Sequence, residues 1–267
     1  MQIPVLSICA MAVSAIVAGI APLVVFIVLA VKKKLKVIPF LVGILIFIPC
    51  LVIAVVTSQI ASIYISNAAV LLAVLSLRAG LVEETGRLIA FRFLLKKYDR
   101  PADGLAYGIG HGWCEAFLLL GINYIFYIIF SIMINTGSFG AITAALPASA
   151  AESYKQLAVV LATTGSGSFL LAGLERISAM MFHIGASMLV FYAVRTRKYG
   201  YYALAILLHT ALNSLTILMA VGLVSGFTLE LMLLAVAGSI LVFGVKTALR
   251  LKPREAPPLS PESDDEA

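Results

Sequence analysis

Residues 77–91 read LRAGLVEETGRLIAF, and they place four charged side chains inside an otherwise apolar run: Arg78, Glu83, Glu84 and Arg87. Ionisable groups inside a bilayer are costly, and they mark functional sites by default. Two adjacent carboxylates in such a segment therefore need ion-pair partners or a chemical role. Long apolar runs continue on both sides of this stretch, which makes the surrounding chain decisive for the fold class.

The composition of the whole chain is that of a polytopic membrane protein. Of its 267 residues, 62% are hydrophobic and only 12% are charged, whereas soluble domains carry about 45–50% apolar and about 25% charged residues. A membrane-crossing helix needs about 20 mostly apolar residues. We therefore predict one all-α transmembrane domain over residues 1–252, integral to a bacterial plasma membrane and in contact with the lipid bilayer.

Seven apolar segments fit the length of a membrane-crossing helix. They cover residues 5–31, 37–57, 67–95, 104–134, 168–194, 200–224 and 227–249. The segment AESYKQLAVVLATT, within residues 135–167, predicts a short interfacial or re-entrant helix and leaves eight helices as the alternative. The first apolar segment is too long for a cleaved signal peptide, and no basic residues precede it.

Basic residues indicate the orientation of the bundle. Lysines and arginines cluster at alternate ends of the spans, at 32–36, 96–100, 195–198 and 246–254. Because cytosolic loops are rich in Lys and Arg, this pattern predicts an extracytoplasmic N-terminus and a cytosolic C-terminus. An odd number of crossings follows, which favours seven. Topology accounts for the net charge of +6, so we expect no nucleic-acid partner.

The last residues of the chain differ in composition from the rest. Residues 253–267 are rich in proline and then acidic. Such a segment cannot bury enough apolar surface to fold, so we predict a disordered cytosolic tail.

The ionisable and amide residues that are candidates for a site lie in four short motifs, the first of which is in the opening stretch. They are Glu83, Glu84 and Arg87; His111 and Glu115; Glu175, Arg176 and His183; and His209 with Asn213. Residues three, four or seven apart share a helix face, so each helix offers one polar stripe. On the predicted topology, Glu83 and the three histidines lie about 10–18 Å from the cytosolic face at 1.5 Å per residue. Four helices therefore place a polar residue in one layer.

Such a layer has chemical and structural interpretations. Three neutral histidines with carboxylates form a ligand set for zinc, with one position left to water. An arginine beside two glutamates can hold one carboxylate ionised while the other exchanges protons. Buried Glu–Arg pairs can instead be purely structural, but the convergence of four motifs favours a site. The i, i+4 spacing favours Glu83 as the partner of Arg87, which leaves Glu84 for the water.

In chain order, EETGR, YGIGHGWCEA, ERISAMMFHIGAS and LLHTALN resemble the motifs of the YhfC family of bacterial intramembrane metalloproteases. This family belongs with the CAAX prenyl-proteases, the PrsW proteases and the gamma-secretase scaffold subunit. The resemblance covers about residues 70–220, and it implies hydrolysis of peptide bonds in a membrane protein or peptide. CAAX proteases have EExxxR where this chain has EExxR, which weakens any expectation of a prenylated substrate.

The resemblance also implies roles for individual residues. Glu83 or Glu84 activates a water molecule, and Asn213 donates a hydrogen bond to the oxyanion. The metal-ligand candidates, which hold Zn²⁺ or form a metal-free site, are His111, Glu115, His183 and His209. Arg87, Glu175 and Arg176 are candidate supporting ion-pair residues.

Two other functions remain open. A non-catalytic scaffold of the same superfamily predicts that the two glutamates are replaceable. A proton-coupled transporter predicts polar residues through the full thickness of the membrane. The candidate residues cluster in one layer, with nothing similar expected in the outer halves of the spans, and this disfavours a transporter. The sequence does not indicate an oligomeric state.

Overall fold

The computed structural model describes residues 2–251, and within this range the chain forms helices and turns but no strand. The all-α prediction is confirmed. The predicted tail at 253–267 lies outside the described residues. The helices are α1 (Val5–Val31), α2 (Val37–Tyr64), α3 (Ala68–Ile89), α4 (Pro101–Asn135), α5 (Phe139–Ala144), α6 (Ala148–Thr163), α7 (Ser166–Thr196), α8 (Gly200–Ala220) and α9 (Gly226–Ala248).

Among the described residues, six helices are long and apolar enough to cross a membrane: α1, α2, α4, α7, α8 and α9. Helix α3 has 22 residues and continues into a π-helical turn at Ala90–Leu94. It has the length of a crossing helix but carries the four charged residues of the opening stretch. The fold is therefore a polytopic helical bundle, and a total of seven crossings stays a prediction. Helices α5 and α6 occupy the segment where the sequence predicts one short helix.

Hydrogen bonds between distant residues fix the relative directions of the long helices. The amide nitrogen of Ile3 donates to Asn135 Oδ1 at 2.7 Å, which joins the beginning of α1 to the end of α4. At the other end of the bundle, Arg195 near the end of α7 donates to the carbonyls of Leu95 at 2.7 Å and Tyr98 at 2.6 Å, just after α3. The lysine- and arginine-rich connections at 32–36, 95–100 and 197–199 share this second end, which we call the basic end.

Close packing around α4 positions the histidine that this helix carries. A Cβ added to Gly108 would lie 2.8 Å from the backbone of Ile184 on α7, and one on Gly43 of α2 would lie 2.8 Å from the backbone nitrogen of His111. Only glycine allows such approaches without displacing a backbone. Helix α4 is therefore held tightly between α2 and α7.

A buried apolar cluster lies towards the basic end, and we call it the basic-end cluster. Its fully buried members are Ala90, Phe91, Leu95, Tyr107, Leu189, Val190, Phe191 and Ala205. The ring of Phe91 packs 4.6 Å from the ring of Tyr107 and 5.2 Å from the ring of Phe191. Helices α4, α7 and α8, with the α3 π-turn and the chain just beyond it, supply these residues, so the cluster fixes the relative positions of the helices that carry the candidate site.

Candidate active site

Four helices bring the polar motifs together in one layer. The site layer consists of Glu83 on α3, His111 on α4, His183 on α7 and His209 on α8. The ring centroids of His111 and His183 are 5.0 Å apart, and those of His183 and His209 are 5.9 Å apart. All three imidazoles are buried. The structure thus places the sequence-predicted histidines side by side.

Glu83 occupies the middle of this layer. Its Oε2 atom lies 3.2 Å from His111 Nε2 and 4.0 Å from His183 Nδ1, and its Oε1 atom lies 4.0 Å from His209 Nε2. The side chain is 13% exposed and lines a pocket of about 260 Å³. This carboxylate therefore contacts or approaches all three histidines and also reaches open space.

Glu84 points in another direction and is fully buried. Its Oε1 atom forms an ion pair with Arg87 Nη1 and accepts a hydrogen bond from His209 Nδ1 at 2.8 Å. The nearest approach of Arg87 to Glu83 is longer, at 3.9 Å. The expected pairing is thus reversed, because Arg87 is buried inside the bundle on the side of Glu84, while Glu83 faces the pocket. Residues three and four apart are both within reach on a helix, so spacing alone does not choose between them.

Arg87 also sets the orientation of a histidine on another helix. Its Nη2 atom donates to His183 Nδ1. Because a guanidinium only donates, His183 Nδ1 must accept, and a neutral ring then carries its proton on Nε2. That nitrogen faces Glu115 Oε2 across the gap between α7 and α4. One arginine thus fixes the tautomer and direction of His183.

Glu115 is held from its other side by an ion-pair network. Arg176 donates from Nη1 to Glu115 Oε1 at 3.1 Å and from Nε to Glu175 Oε2 at 2.6 Å. A second nitrogen of Arg176 contacts Glu175 Oε1. The Glu175–Arg176 pair therefore neutralises itself within α7 and anchors Glu115 of α4 beside His183.

A subset of these residues has the composition of a metal site. Glu83, His111, Glu115 and His183 each offer one donor atom, and these four atoms lie within 4.8 Å of one another. Zinc binds imidazole nitrogen and carboxylate oxygen at about 2.0–2.2 Å, commonly through three protein ligands in catalytic sites. The donor set therefore fits such an ion. His209 stands outside this group, because its Nδ1 atom bonds to Glu84.

The pocket contains further polar residues. Asn213 lines it one turn after His209, as the sequence motif predicts, and Arg78 lines it ahead of Glu83. The Nε atom of Arg78 is buried without a hydrogen-bond partner among the described residues, and so is the Oε2 atom of Glu230, a residue of α9 that does not line the pocket. Sequence reasoning gave Glu230 no role, although an isolated carboxylate five residues into the apolar α9 was a usable signal for it. Polar groups thus extend into the outer halves of the spans, contrary to expectation.

Similarity to known proteins agrees with this arrangement. Residues 16–234 match the family model described as YhfC intramembrane metalloprotease. The chain belongs to this family. It is 34% identical over 175 residues to the uncharacterized membrane protein YhfC of Bacillus subtilis (strain 168), which covers 66% of this chain and 67% of that protein. No solved structure matches the chain.

Membership of the YhfC family confirms the resemblance that the four motifs carry. With its apolar helices, the chain is an integral multi-pass membrane protein. The family name indicates an intramembrane protease that uses a metal. The group of Glu83, His111, Glu115 and His183 is the place among the described residues where the donor atoms for a metal converge.

Proposed function

We propose that this protein is an intramembrane peptidase of a bacterial plasma membrane, which hydrolyses peptide bonds of a membrane protein or peptide. The observation that carries the proposal is the position of Glu83. Its carboxylate lies within 4.0 Å of a nitrogen of each of three buried histidines and lines a pocket between five helices. A carboxylate in that position can reach both a water molecule and a peptide carbonyl.

Glu83 acts as the general base in this proposal. A base must lie within hydrogen-bond reach of the proton that it removes, and the pocket gives water access to the Glu83 carboxylate. When no metal is bound, His111 Nε2, at 3.2 Å from Glu83 Oε2, holds one oxygen in place. The other oxygen faces His209 and the pocket, so it accepts the proton of the water and later returns it to the leaving amine.

His209 and Asn213 stabilise the negative charge that develops on the peptide oxygen. They are four residues apart on α8 and both line the pocket. Glu84 accepts from His209 Nδ1 and thereby directs Nε2 towards Glu83 and the pocket. With Nδ1 committed to Glu84, a proton on Nε2 makes the ring an imidazolium, which donates to an oxyanion together with the Asn213 amide.

Zinc is the metal that we propose for this site. His111, Glu115 and His183 would hold it, and Glu83 would stand beside the position left to water. When bound, it supplies Lewis-acid polarisation of that water. The Arg176–Glu175 pair keeps Glu115 directed towards His183. For His183 to hold the metal through Nε2, its ring proton would have to lie on Nδ1, so Arg87 would give up its contact with that nitrogen and keep its ion pair with Glu84.

Comparative proteomics of membranes tests the peptidase function. Cells that carry the wild-type protein and cells that carry Glu83→Gln are compared for membrane-protein fragments that depend on the carboxylate. Wild-type cells should contain at least one such fragment, and purified wild-type protein in proteoliposomes should produce it from its precursor. If no fragment depended on the Glu83 carboxylate and purified wild-type protein cleaved no membrane protein, the peptidase would be refuted and the non-catalytic scaffold favoured.

Metal analysis of purified protein tests the zinc assignment separately. Wild-type protein should contain zinc, and His183→Ala should contain much less, whereas Asn213→Ala should retain it. Active wild-type protein without zinc would remove the metal from the proposal and leave the glutamate-dependent site. The transporter alternative is disfavoured by the basic-end cluster, because apolar side chains fill this part of the bundle among the described residues.

A further inference from the structure

The pocket at the site layer lies on one side of that layer only. On α3 its lining residues run from Leu72 to Glu83, and on α7 they run from Glu175 to His183. Both helices run towards the basic end, so Glu83 and His183 are the lining residues nearest to that end. On α8, which runs the other way, the first lining residue is His209 and the last is Thr216.

The helix rise converts these positions into a direction and a depth. At 1.5 Å per residue, Leu72 lies about 16 Å beyond Glu83, Glu175 about 12 Å beyond His183, and Thr216 about 10 Å beyond His209. All three displacements point away from the basic end. The pocket therefore extends from the site layer towards the opposite end of the bundle.

The walls of the outer part of the pocket suit water. Polar side chains line it on three helices: Ser76, Arg78, Glu175, Ser178, Asn213 and Thr216. The exposed fraction of the glutamate side chains also rises in this direction. The side chains of Glu84 and Arg87 are fully buried, those of Glu83 and Glu115 are 13% exposed, and that of Glu175 is 34% exposed.

The opposite side of the site layer is closed. The basic-end cluster begins within one or two turns of the site residues, with Tyr107 before His111 on α4, Leu189 after His183 on α7 and Ala205 before His209 on α8. These three side chains have no exposed surface. Arg195 further ties α7 to the carbonyls that follow α3.

We propose that the site is entered from the end of the bundle opposite the basic end, so that its substrate is a membrane-protein segment at the extracytoplasmic face. The side of the membrane follows from the positive-inside rule, which assigns the basic end to the cytosol. The substrate class rests on the proposed peptidase function, whereas the direction of access rests on the pocket alone. Both the water and the scissile bond then reach Glu83 from outside the cell.

A matched pair of cysteine substitutions on α7 tests the direction of access. Ala179 lines the pocket four residues before His183 and is partly exposed, and Ser187 lies four residues after His183 with a fully buried side chain. Ala179→Cys and Ser187→Cys are each made in a background in which the exposed Cys9 is replaced by serine. Lys198→Cys, in the connection at the basic end, reports the side on which that end lies. The probe is a charged, membrane-impermeant methanethiosulfonate applied to sealed right-side-out and inverted vesicles.

Ala179→Cys should be modified in right-side-out vesicles, Lys198→Cys in inverted vesicles, and Ser187→Cys in neither. Modification of Ala179→Cys from the same side as Lys198→Cys, or protection of Ala179→Cys in both preparations, would overturn the proposal. Modification of Lys198→Cys in right-side-out vesicles would overturn the assignment to the extracytoplasmic face. Labelling after denaturation confirms that every cysteine is reactive.

The labelling needs no catalysis, so its outcome is separate from that of the peptidase test. If the cysteines were labelled as expected but the wild-type protein cleaved no substrate, the peptidase would be refuted and the outward access of the pocket would be retained. Active protein with the wrong labelling would refute only the outward access. Where a substrate fragment is identified, the cleaved bond should map to the extracytoplasmic half of its span or to the adjoining outer segment, and a bond on the cytosolic side would contradict the substrate class.

Discussion

Glu83 and Glu84 are neighbours in sequence, yet their carboxylates lie in two different regions of the molecule. Glu83 lies at the inner limit of a pocket, with histidine nitrogens on several sides and open space on another. Glu84 lies in the closed interior, with Arg87 and His209 as its partners. The same type of side chain thus borders open space in one region and belongs to a closed ion-pair network in the other.

The two carboxylates need different partners because their surroundings differ. A buried carboxylate without a partner is strongly unfavourable, and breaking a buried ion pair leaves the other charge uncompensated. The Glu84 side meets this demand through Arg87, which also donates to His183. Glu83 keeps capacity for a water or substrate atom because its closest partner is a histidine at 3.2 Å and its contact with Arg87 is long. Replacement of Glu83 should therefore reduce mainly the activity, and replacement of Glu84 should reduce mainly the stability.

The largest effect is expected for Glu83→Gln. The amide preserves size and can still accept from His111, but it cannot take a proton from water. We expect the rate of fragment formation in proteoliposomes to fall by about 10²–10⁴-fold, the range for loss of a general base. The free energy of unfolding should change by only about 1 kcal/mol, as for one altered hydrogen bond.

The control for this variant is Glu152→Gln, which changes an exposed glutamate on α6 whose side chain is 60% exposed. It should leave both the rate and the thermal midpoint in detergent unchanged. If Glu83→Gln kept most of the activity, Glu83 would not be the general base. Glu84 would then be the candidate, and the proposed difference between the two carboxylates would be wrong.

Glu84→Gln is expected to act mainly on stability. The substitution leaves the buried Arg87 guanidinium without its closest carboxylate, and breaking such a pair costs about 3–5 kcal/mol. The thermal midpoint in detergent and the yield of folded protein should therefore fall more than in Glu83→Gln. Some activity is lost as well, because His209 loses the acceptor that orients it.

A double-mutant cycle with Arg87→Gln measures the coupling free energy between Glu84 and Arg87. The free-energy losses of Glu84→Gln and Arg87→Gln should sum to more than the loss in the double variant, since both single changes break the same interaction. Additive losses would show that the contact contributes no coupling, and Glu84 would then need another role.

The sequence was sufficient to predict which residues share the site layer, but not which partners each of them contacts. The helical spacing of the four motifs and the charge pattern of the connections were sufficient to predict that Glu83, His111, His183 and His209 share one depth. The partner of Arg87 could not be read from spacing, because i+3 and i+4 are both close on a helix and tertiary burial decides between them. Spacing likewise gave no reason to separate His209 from the metal-donor group, since its bond to Glu84 depends on how α8 packs against α3. The outward direction of the pocket depends on which side chains fill the space near the basic end, and this is a property of packing.

Asn213→Ala should produce a smaller loss that belongs to the Glu83 region. Removal of one oxyanion donor costs about 10²–10³-fold in rate. The kcat for an identified peptide substrate should fall by this amount, with little change in KM or in the thermal midpoint, because the amide acts on charge that develops during the reaction. Asn213→Asp, which keeps the shape but removes the donor, should fall to a similar rate. If Asn213→Asp stayed active, the role of Asn213 would be in packing.

The smallest effect is expected from Thr85→Val, directly after Glu84 on α3. The Thr85 hydroxyl lies 2.8 Å from the hydroxyl of Tyr202 and joins α3 to α8. Hydrogen bonds between membrane helices average about 0.6 kcal/mol, and valine fills the same volume without the hydroxyl. We expect a drop of that size in the free energy of unfolding, equal to that of Tyr202→Phe and not additive with it, and an unchanged cleavage rate. A large loss of activity from either variant would mean that the Glu84 region contributes directly to the reaction, because this contact touches neither the pocket nor the site layer.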